Sequence, residues 1–515
     1  MERNIFSLLI LTLFLQLFSF NINAKFITND NTKKIKIHTI QKNDIFVKSK
    51  YKEVNTRKDK IINTNTTFKT LKNSNISKNK NNKFMGIVGC ISMLAIAFLL
   101  SNNRKKISIK LVISGLTLQF AFAFIVLKLG IGNNFFNKAN DAILKILQFA
   151  NEGARFLFGN LVSANVPVGI ISNIDGSFTQ INNAQFYANT GAFFAFNVLP
   201  TIIFFSALTA VLYHLRILEY AVRFMAFFMQ KTLKTSGAES FSAAANIFVG
   251  QTEAPLLIRP FLKKMTDSEI MAIMTGGFAT VAGGIMAAYV AILSNYFPDI
   301  AGHLLAASVM AAPASLVMAK IIIPETKKPE TALASDVILK KNESNLIDAA
   351  AKGTSDGLYL ALNVGAMLIS FIALIAFLNW IISTCGYLFG FENCLLENIF
   401  GYIFAPIAFL LGVPNSDAMA IGSLFGIKIA VNELVAYIQL ANDLDAGVIK
   451  NSKSIIIATY ALCGFANFSS IGIQIGGLSA LAPERRHDFA RLGLKAMIAG
   501  SLACFQTAAI AGMLI

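Results

Sequence analysis

Long apolar segments run from residue 84 to the end of this sequence, and they restrict what it can fold into. Hydrophobic residues make up 55% of the 515 residues and charged residues only 14%, whereas soluble domains are usually about 25% charged. Most of the apolar segments are about 20 residues long, which is the length of one membrane-spanning helix. We therefore predict an all-α integral membrane protein with about eight transmembrane helices.

The first 83 residues differ from the rest in composition. Residues 1–24 hold one arginine before an apolar run, which predicts a signal peptide, with an uncleaved signal anchor as the alternative. Residues 25–83 carry 16 Lys and Arg against 4 Asp and Glu and contain no glycine, as a disordered leader outside the cytoplasm would. This segment lacks interleaved aromatic residues and any nucleic-acid-binding module, so we predict no nucleic-acid partner.

Charges near the apolar segments orient the chain in the bilayer. Arg104, Lys105 and Lys106 follow the first segment and predict a cytoplasmic loop, which leaves the leader outside, as a signal peptide requires. A plasma or bacterial inner membrane suits this arrangement, and a two-part leader for a plastid membrane is the alternative. The predicted spans cover residues 84–100, 112–129, 192–213, 268–293, 303–323, 358–382, 454–475 and 492–515.

The connections between spans also carry predictions. Residues 138–158 place apolar side chains at helical spacing and predict an amphipathic helix in the membrane interface. Residues 324–355 predict a cytoplasmic loop, and residues 385–402 an external or interfacial connection. The five cysteines are interpreted as buried thiols, although Cys385 and Cys394 can form a disulfide if their connection faces an oxidising compartment.

Two further apolar segments are interrupted and predict re-entrant hairpins. Residues 239–262 break at Gly250 to Pro255, where glycine frees the backbone and proline cannot continue the helix. Each arm is about 10 residues long, too short to cross about 30 Å of hydrocarbon. Residues 412–440 form the second hairpin, with Glu433 near its tip. By loop charge and the number of crossings, the two hairpins open from opposite sides, which predicts an inverted repeat.

This repeat suggests how the chain divides after its leader. Three units are predicted: N-terminal scaffold helices with the interfacial helix in 84–235, the first hairpin and its repeat in 236–355, and the sixth helix, second hairpin and repeat in 356–515.

A carboxylate occupies each hairpin, and a broken span follows each of them. Glu253 precedes the break near Thr280, and Glu433 precedes the break near Asn467. A charge at membrane depth costs about 3 kcal/mol or more and marks a functional site by default. Unwound helices persist in a membrane only where they line a cavity or contact protein. The duplicated pattern predicts a transporter with a central site for a polar solute.

Two sets of polar groups converge on this predicted site. The first hairpin supplies Gln251, Thr252 and Glu253, and the second half supplies Glu433, Asn467 and Ser470. A ligand with hydroxyl groups and ring nitrogens would satisfy both sets. A channel is the nearest alternative, since a broken helix can also line a pore. An enzyme is not expected, because the four histidines form no metal-binding pair and no nucleophile stands beside a base.

Structural roles remain open for several of these residues. Glu253 could pair with Arg259 or Lys428, and Thr280 could bond back to its own helix. Phe465 could simply be a packing residue. Ser469, like other polar residues in this break, could join helices together.

Three motifs carry a family resemblance. Residues 250–256, 426–437 and 464–472 resemble concentrative nucleoside transporters, and the likeness extends in order over residues 84–515. Leu434 departs from the Phe that many members have. The resemblance implies a cation–nucleoside symporter that assembles as a homotrimer in the lipid bilayer and needs no organic cofactor. Gly250 and Gln251 resemble broadly selective members.

The same motifs imply a role for each site residue. Gln251, Thr252 and Glu253, next to Gly250, would bind the base. The ribose hydroxyls would be bound by Glu433, Asn467 and Ser470, with Phe465 packing nearby.

For the cation, the resemblance implies Asn246, the Val249 carbonyl, the Thr280 hydroxyl and the Val281 carbonyl. Thr280 replaces a common serine and keeps its oxygen. The asparagine at 246 favours sodium, and a proton-coupled nucleoside or nucleobase symporter is the alternative.

Overall fold

The computed structural model describes residues 80–515, with gaps at 129, 164, 168, 172–177, 181–186, 190–193, 332–343, 389 and 391–394. The predictions for residues 1–24, and for the leader up to residue 79, lie outside the described residues. Cys394 also lies outside them, so the predicted pairing with Cys385 stays untested; the Cys385 thiol is free and exposed.

Helices account for nearly all of the described secondary structure. They are α1 Lys80–Leu99, α2 Ile109–Leu127, α3 Gly130–Phe158, α4 Leu199–His214, α5 Ile217–Leu233, α6 Gly237–Ala245, α7 Arg259–Leu262, α8 Asp267–Ala279, α9 Gly283–Leu293, α10 Ile300–Ile322, α11 Leu346–Leu388, α12 Leu396–Leu410, α13 Asn415–Ala430, α14 Glu433–Asp445, α15 Ser452–Leu462, α16 Phe468–Leu481 and α17 Arg486–Leu514. The remaining helical elements are short 3-10 helices and a π-helical turn, Phe194–Val198, before α4.

Four three-residue strands form two small ribbons between α3 and α4. Strand β1 (Asn165–Pro167) pairs antiparallel with β4 (Tyr187–Asn189). Strand β2 (Gly169–Ile171) pairs in the same way with β3 (Phe178–Gln180). The ribbons lie in a connection, and the all-α class predicted from the sequence is confirmed for the spanning part.

Described helices lie at the positions of all eight predicted spans. Six are long and apolar enough to cross a membrane: α2, α4, α8 with α9, α10, α11 and α17. The other two are α1 and the pair α15 and α16, whose apolar helices are shorter. The apolar stretch of α10 is 89% buried, against 11% for α11. Helix α10 therefore lies at the centre of the fold and α11 at its periphery.

Both predicted hairpins are present. In hairpin 1, α6 ends at Ala245, the chain unwinds, and a 3-10 helix, Ala254–Ile258, leads into α7. In hairpin 2, α13 ends at Ala430 and α14 begins at Glu433. A broken span follows each hairpin, α8 with α9 and α15 with α16, so the two halves repeat one plan.

Some sequence-based boundaries were wrong. Helix α5 occupies a segment in which no helix was predicted; its aromatic residues, such as Phe224 and Phe227, are exposed opposite the buried face and suit a membrane interface. Helix α11 begins at Leu346, inside the predicted loop. Its first turns were missed because their polar residues lower the hydropathy there. The division predicted at 355–356 therefore cuts α11, whereas the one at 235–236 falls between α5 and α6.

The connection predicted at 385–402 was also too long. Helix α11 continues to Leu388, and α12 occupies Leu396–Leu410. With 15 residues, α12 is shorter than the roughly 20 residues of a span, so it was not predicted as a separate helix. Helices α12 and α13 meet at an angle of 118°, so α12 leads directly into hairpin 2.

Two linked capping boxes fix the start of hairpin 1. At α6, Glu239 Oε1 accepts from the Ser236 backbone N–H at 2.7 Å. At α8, Glu269 Oε2 accepts from the Thr266 backbone N–H at 3.0 Å. Ser236 Oγ also donates to Glu269 Oε1 at 2.7 Å. The first turns of α6 and α8 are thereby joined, which sets hairpin 1 against the broken span that follows it.

A buried lysine on α10 completes this joint. Lys320 Nζ lies 2.7 Å from Glu239 Oε2 and 3.4 Å from Glu325 Oε2. It also donates to Ser268 Oγ at 3.0 Å. The Lys320 and Glu239 side chains are only 7% and 1% exposed. Breaking a buried pair by removing one partner leaves an uncompensated charge, which is far more costly than loss of an exposed pair.

We expect Lys320→Met to lower stability by about 3–5 kcal/mol, because Glu239 is left buried without its cation. Thermal unfolding of the purified protein in detergent measures this as a lower apparent Tm. Lys264→Met is the matched control, since Lys264 pairs with Glu330 at 2.8 Å at an exposed site, where such pairs contribute about 0–1 kcal/mol. Equal Tm values for the two variants would contradict the assignment, and adding Glu239→Gln to Lys320→Met should restore much of the loss.

Candidate functional site

Glu433 is the point where three interrupted elements meet. Its Oε1 accepts from the Tyr289 hydroxyl of α9 at 3.0 Å, and its Oε2 accepts from Asn467 Nδ2 at 2.8 Å. Glu433 itself begins α14 at the tip of hairpin 2, and its side chain is only 5% exposed. Each oxygen therefore has one protein donor and keeps lone-pair capacity for another.

Two asparagines create the helix starts around this carboxylate. Asn432 caps α14 by accepting from the Val435 N–H at 2.9 Å. Asn467 caps α16 by accepting from the Ser470 N–H at 2.8 Å. Asparagine suits this position because its side-chain oxygen satisfies an N–H that has no partner within the helix. The Oδ1 of Asn467 also accepts from Ser469 Oγ at 2.7 Å, so Ser469 supports the cap rather than joining separate helices.

An aromatic stack holds Tyr289 against Glu433. The rings of Tyr289 and Tyr437 lie 4.3 Å apart and are stacked, and both residues are fully buried. Tyr437 in turn donates to the Thr459 carbonyl at 2.7 Å. Because stacking and the second hydrogen bond fix Tyr437, the hydroxyl of Tyr289 has a defined position beside the carboxylate.

Hairpin 1 brings the first polar set to the second half of the chain. Gln251 Oε1 accepts from Gln474 Nε2 of α16 at 3.0 Å. Glu253 is exposed, unlike Glu433. A Cβ at position 250 would collide with the Glu253 carboxylate, so a larger residue there would displace that side chain. The predicted neighbours Gln251 and Glu253 thus lie on one tip that faces α16.

The two helix breaks are joined by backbone. The Phe465 N–H donates to the Thr280 carbonyl at 3.3 Å, which links the break before α16 to the break before α9. The Phe465 side chain is half-buried and packs against the core.

The ion-pair alternative for the carboxylates does not hold. Lys428 is fully buried and donates to the Ala461 carbonyl at 2.7 Å, and Arg259 is exposed. Within the part of the chain that the structure describes, neither Glu253 nor Glu433 forms an ion pair. Both carboxylates therefore remain free to bind a ligand.

The four residues predicted to bind a cation are all buried. Asn246, Val249, Thr280 and Val281 are 1%, 8%, 2% and 1% exposed. Asn246 lies against α8, since a Cβ at Gly276 would be 3.3 Å from its Nδ2. The Val249 and Val281 segments are adjacent as well, because the Gly283 N–H donates to the Phe248 carbonyl at 3.3 Å.

This group fits a hard cation. Both amide atoms of Asn246 are buried without a hydrogen-bond partner among the described residues, a costly arrangement unless something else satisfies them. Thr280 does bond back to its helix, donating to the Gly276 carbonyl at 2.8 Å, and its oxygen lone pairs stay available. Oxygen ligands of this kind suit Na⁺ better than a transition metal, and the described residues contain no cluster of three His, Cys, Asp or Glu.

Two residues of the site were not predicted from the sequence. Gln474 lies one helical turn beyond Ser470 on the same face of α16, so its amide in an apolar helix was a usable signal. Tyr289 gave a weaker signal, since a tyrosine within an apolar span is common. Their contacts span 223 and 144 residues of sequence.

Comparison with known families gives three matches along this chain. Residues 88–161 match the family described as Na⁺ dependent nucleoside transporter N-terminus. Residues 195–296 match the one described as Nucleoside recognition. Residues 303–512 match Na⁺ dependent nucleoside transporter C-terminus.

Individual proteins are similar over most of the chain. A Haemophilus influenzae protein described as an uncharacterized transporter is 45% identical over 83% of this chain and 97% of its own length. The nucleoside permease NupC of Helicobacter pylori is 40% identical over 83% of this chain and 97% of its own length. Among solved structures, CNTnw in an inward-facing substrate-bound state is 41% identical, with a TM-score of 0.73, covering 84% of this chain and 97% of that one.

Proposed function

Because this chain belongs to the concentrative nucleoside transporter family, whose members are multi-pass membrane transporters and not enzymes, we propose that it imports nucleosides together with sodium. The observation that carries the proposal is the convergence of Tyr289, Asn467 and hairpin 2 on Glu433. That geometry presents a buried carboxylate with free lone pairs, as paired ribose hydroxyls require.

The nucleoside would bind between the two halves of the chain. On one side, Glu433 accepts from the ribose hydroxyls, with Asn467 and Ser470 beside it at the start of α16. Charge-assisted hydrogen bonds of this kind are roughly twice as strong as neutral ones. Phe465, in the adjacent break, packs near the sugar.

The base would lie against the tip of hairpin 1. Gln251 and Thr252 offer an amide and a hydroxyl, and Glu253 offers an exposed carboxylate. Gly250 leaves room for the Glu253 carboxylate. The remaining surface of a nucleoside, the two faces of its ring, needs only apolar contact.

Sodium would be held by Asn246, Val249, Thr280 and Val281. The support for this is the unpaired amide of Asn246 beside the α8 break. Hairpin 1 unwinds between Asn246 and Glu253, and this single segment carries both cation and base contacts. A cation that orders the segment therefore also orders the base contacts. Cation binding would thus raise the affinity for the nucleoside.

Transport would follow alternating access, in which the hairpins and broken spans move together against the scaffold helices. The joint between α6, α8 and Lys320 supports this by attaching hairpin 1 to its neighbours. The predicted units 84–235, 236–355 and 356–515 are retained as a proposal, with the last border moved to the start of α11.

The homotrimer is proposed as well. Its support is the family resemblance, and helix α11 exposes a long apolar surface that includes Leu362, Ile369 and Phe377, which a neighbouring copy or lipid would cover. Chemical cross-linking in native membranes should give trimers. A plasma or bacterial inner membrane is the proposed location, and fluorescence of a tagged chain separates this from a plastid membrane.

Uptake of radiolabelled uridine and adenosine tests the function. The chain should restore uptake to a host that lacks nucleoside transport, and uptake should require sodium. The proposal is wrong if the chain, confirmed in the membrane, gives no uptake either in sodium or at acid pH. Uptake that follows acid pH and ignores sodium would keep the nucleoside function and replace the coupling ion by the proton.

A hydroxyl substitution tests the sodium ligands. Thr280→Val should raise the half-saturating sodium concentration about tenfold, since one oxygen contact to a charged group contributes roughly 1.5–3 kcal/mol. Thr280→Ser keeps the oxygen and should stay within about twofold of the unsubstituted chain. Uridine uptake over a sodium series measures both. The same sodium requirement in the two variants would exclude the hydroxyl as a ligand.

A further inference from the structure

Gln474 joins α16 to hairpin 1 and to α8 at the proposed base site. Its Nε2 donates to Gln251 Oε1 at 3.0 Å and to the Met274 carbonyl at 3.1 Å. The side chain is 1% exposed. None of the motifs that define the site contains it, yet it is the only described side chain that hydrogen-bonds to Gln251.

The Met274 carbonyl determines the orientation of both amides. A carbonyl can only accept, so the end of Gln474 that faces Met274 must be the nitrogen. The same nitrogen reaches Gln251, which must therefore present its oxygen. If Gln474 were reversed, its oxygen would face the Met274 carbonyl and that hydrogen bond would be lost, even if Gln251 also turned to keep the bond between the two amides. Gln251 thus has one orientation, with its Nε2 left as a donor.

The surrounding backbone is shaped for this pair. A Cβ at Gly277 would lie 2.6 Å from Gln474 Nε2 and 2.9 Å from Gln251 Cβ. Both distances are too short for unbonded heavy atoms of these kinds, so the glycine makes room for the two amides. The Oε1 of Gln474 is buried and has no partner among the described residues, so the two donated bonds alone hold this side chain.

We propose that Gln474 is a positioning residue that sets what hairpin 1 can recognise; this rests on the proposed nucleoside function. By fixing Gln251, it presents an N–H donor on the same hairpin tip as Glu253, two residues later, whose carboxylate is an acceptor. The complementary edge of a base has an acceptor next to a donor. Cytosine and adenine place a ring nitrogen beside an amino group, and uracil and guanine place a carbonyl beside a ring N–H. The site therefore selects for this edge and admits both purine and pyrimidine nucleosides.

The test compares cytidine with 3-deazacytidine, which lacks the ring-nitrogen acceptor and keeps the amino group. In the unsubstituted chain, Vmax/KM should fall about tenfold for 3-deazacytidine, the effect of one lost hydrogen bond that leaves a donor unpaired. In Gln474→Met, Gln251 is free to turn, and the ratio between the two nucleosides should shrink to about twofold. Gln474→Leu should give the same narrowing.

The ratio of Vmax/KM for cytidine to that for 3-deazacytidine distinguishes a positioning role of Gln474 from a general loss of folding. A poorly folded variant loses uptake of both nucleosides in parallel and keeps the ratio of the unsubstituted chain, and binding to purified protein gives that ratio if uptake becomes too slow. In a Gln251→Ala background, Gln474→Met should change the ratio no further, because the group it positions is gone. An unchanged tenfold ratio in both Gln474 variants would overturn this inference while nucleoside uptake stands. Absence of uptake by the unsubstituted chain would instead overturn the proposed function.

Discussion

Glu433→Gln should raise the KM for uridine about 100-fold, because the two ribose hydroxyls then meet one neutral amide oxygen in place of two charged carboxylate oxygens, at a combined loss of about 2–3 kcal/mol. The substitution should keep the hydrogen bonds from position 433 to its two protein partners. Asn467 Oδ1 is already occupied by Ser470 and Ser469, so Asn467 can only donate to position 433. The new amide must turn its oxygen to Asn467 and its nitrogen to Tyr289, whose hydroxyl can rotate to accept. The local geometry is kept while the charge is lost.

Sugar analogues test whether the loss arises at the ribose. Uptake of 2′,3′-dideoxyuridine should be weak in the unsubstituted chain and nearly unaffected by Glu433→Gln, since the hydroxyls that the carboxylate would bind are absent. Glu152→Gln, at an exposed position on α3, is the matched control and should leave the KM for uridine unchanged. If Glu433→Gln lowers uptake of uridine and the dideoxy analogue equally, Glu433 has a structural role and the ribose assignment is wrong.

The sequence predicted those parts of the fold and site that depend on local chemistry. The hairpin tips and span breaks follow from glycine, proline and asparagine, whose backbone and capping preferences act within a few residues. Asn467 illustrates this, since it both starts α16 and binds Glu433. The residue types needed at the site were therefore visible before any contact was known.

What the sequence could not predict depends on which helices become neighbours. Tyr289 meets Glu433 only because α9 packs beside α14, and Gln474 meets Gln251 only because α16 packs against hairpin 1. Hydropathy carries no information about such pairings, because lipid is as apolar as the helix faces and the pairing depends on detailed packing and interhelical hydrogen bonds. A different limit explains why α5 and the first turns of α11 were missed. Their polar residues lower the hydropathy without preventing helix formation.

Hairpin 1 carries both proposed sets of contacts, those to the cation and those to the base. Single-turn backbone hydrogen bonds hold its unwound stretch, such as Phe248 N–H to the Ala245 carbonyl, and the proposed roles place Asn246 at the cation contacts and Glu253 at the base contacts. Since both tasks share about eight residues of backbone, ordering one end restricts the other. This arrangement makes coupling a local property of the hairpin and predicts that loss of one cation ligand weakens nucleoside binding as well.

Asn246→Ala should abolish most sodium dependence, raising the half-saturating sodium concentration about 30- to 100-fold through loss of a contact to a charged ion. Although Asn246→Ala weakens sodium binding, it should not lower the stability of the sodium-free protein. Without sodium, the Asn246 amide is buried and unpaired, and removing it relieves a penalty of roughly 1–3 kcal/mol. The variant should therefore be at least as stable as the unsubstituted chain in sodium-free buffer.

Thermal unfolding with and without sodium separates these effects. The unsubstituted chain should gain Tm as sodium rises, because a ligand that binds only the folded state stabilises it, and Asn246→Ala should show almost no gain. Asn442→Ala, at an exposed position on α14, is the control and should keep the full sodium response. If Asn246→Ala is destabilised equally in both buffers and still responds to sodium, Asn246 is a structural residue and the cation must bind elsewhere. A lost sodium response at unchanged or higher basal Tm is the result that only a ligand role produces.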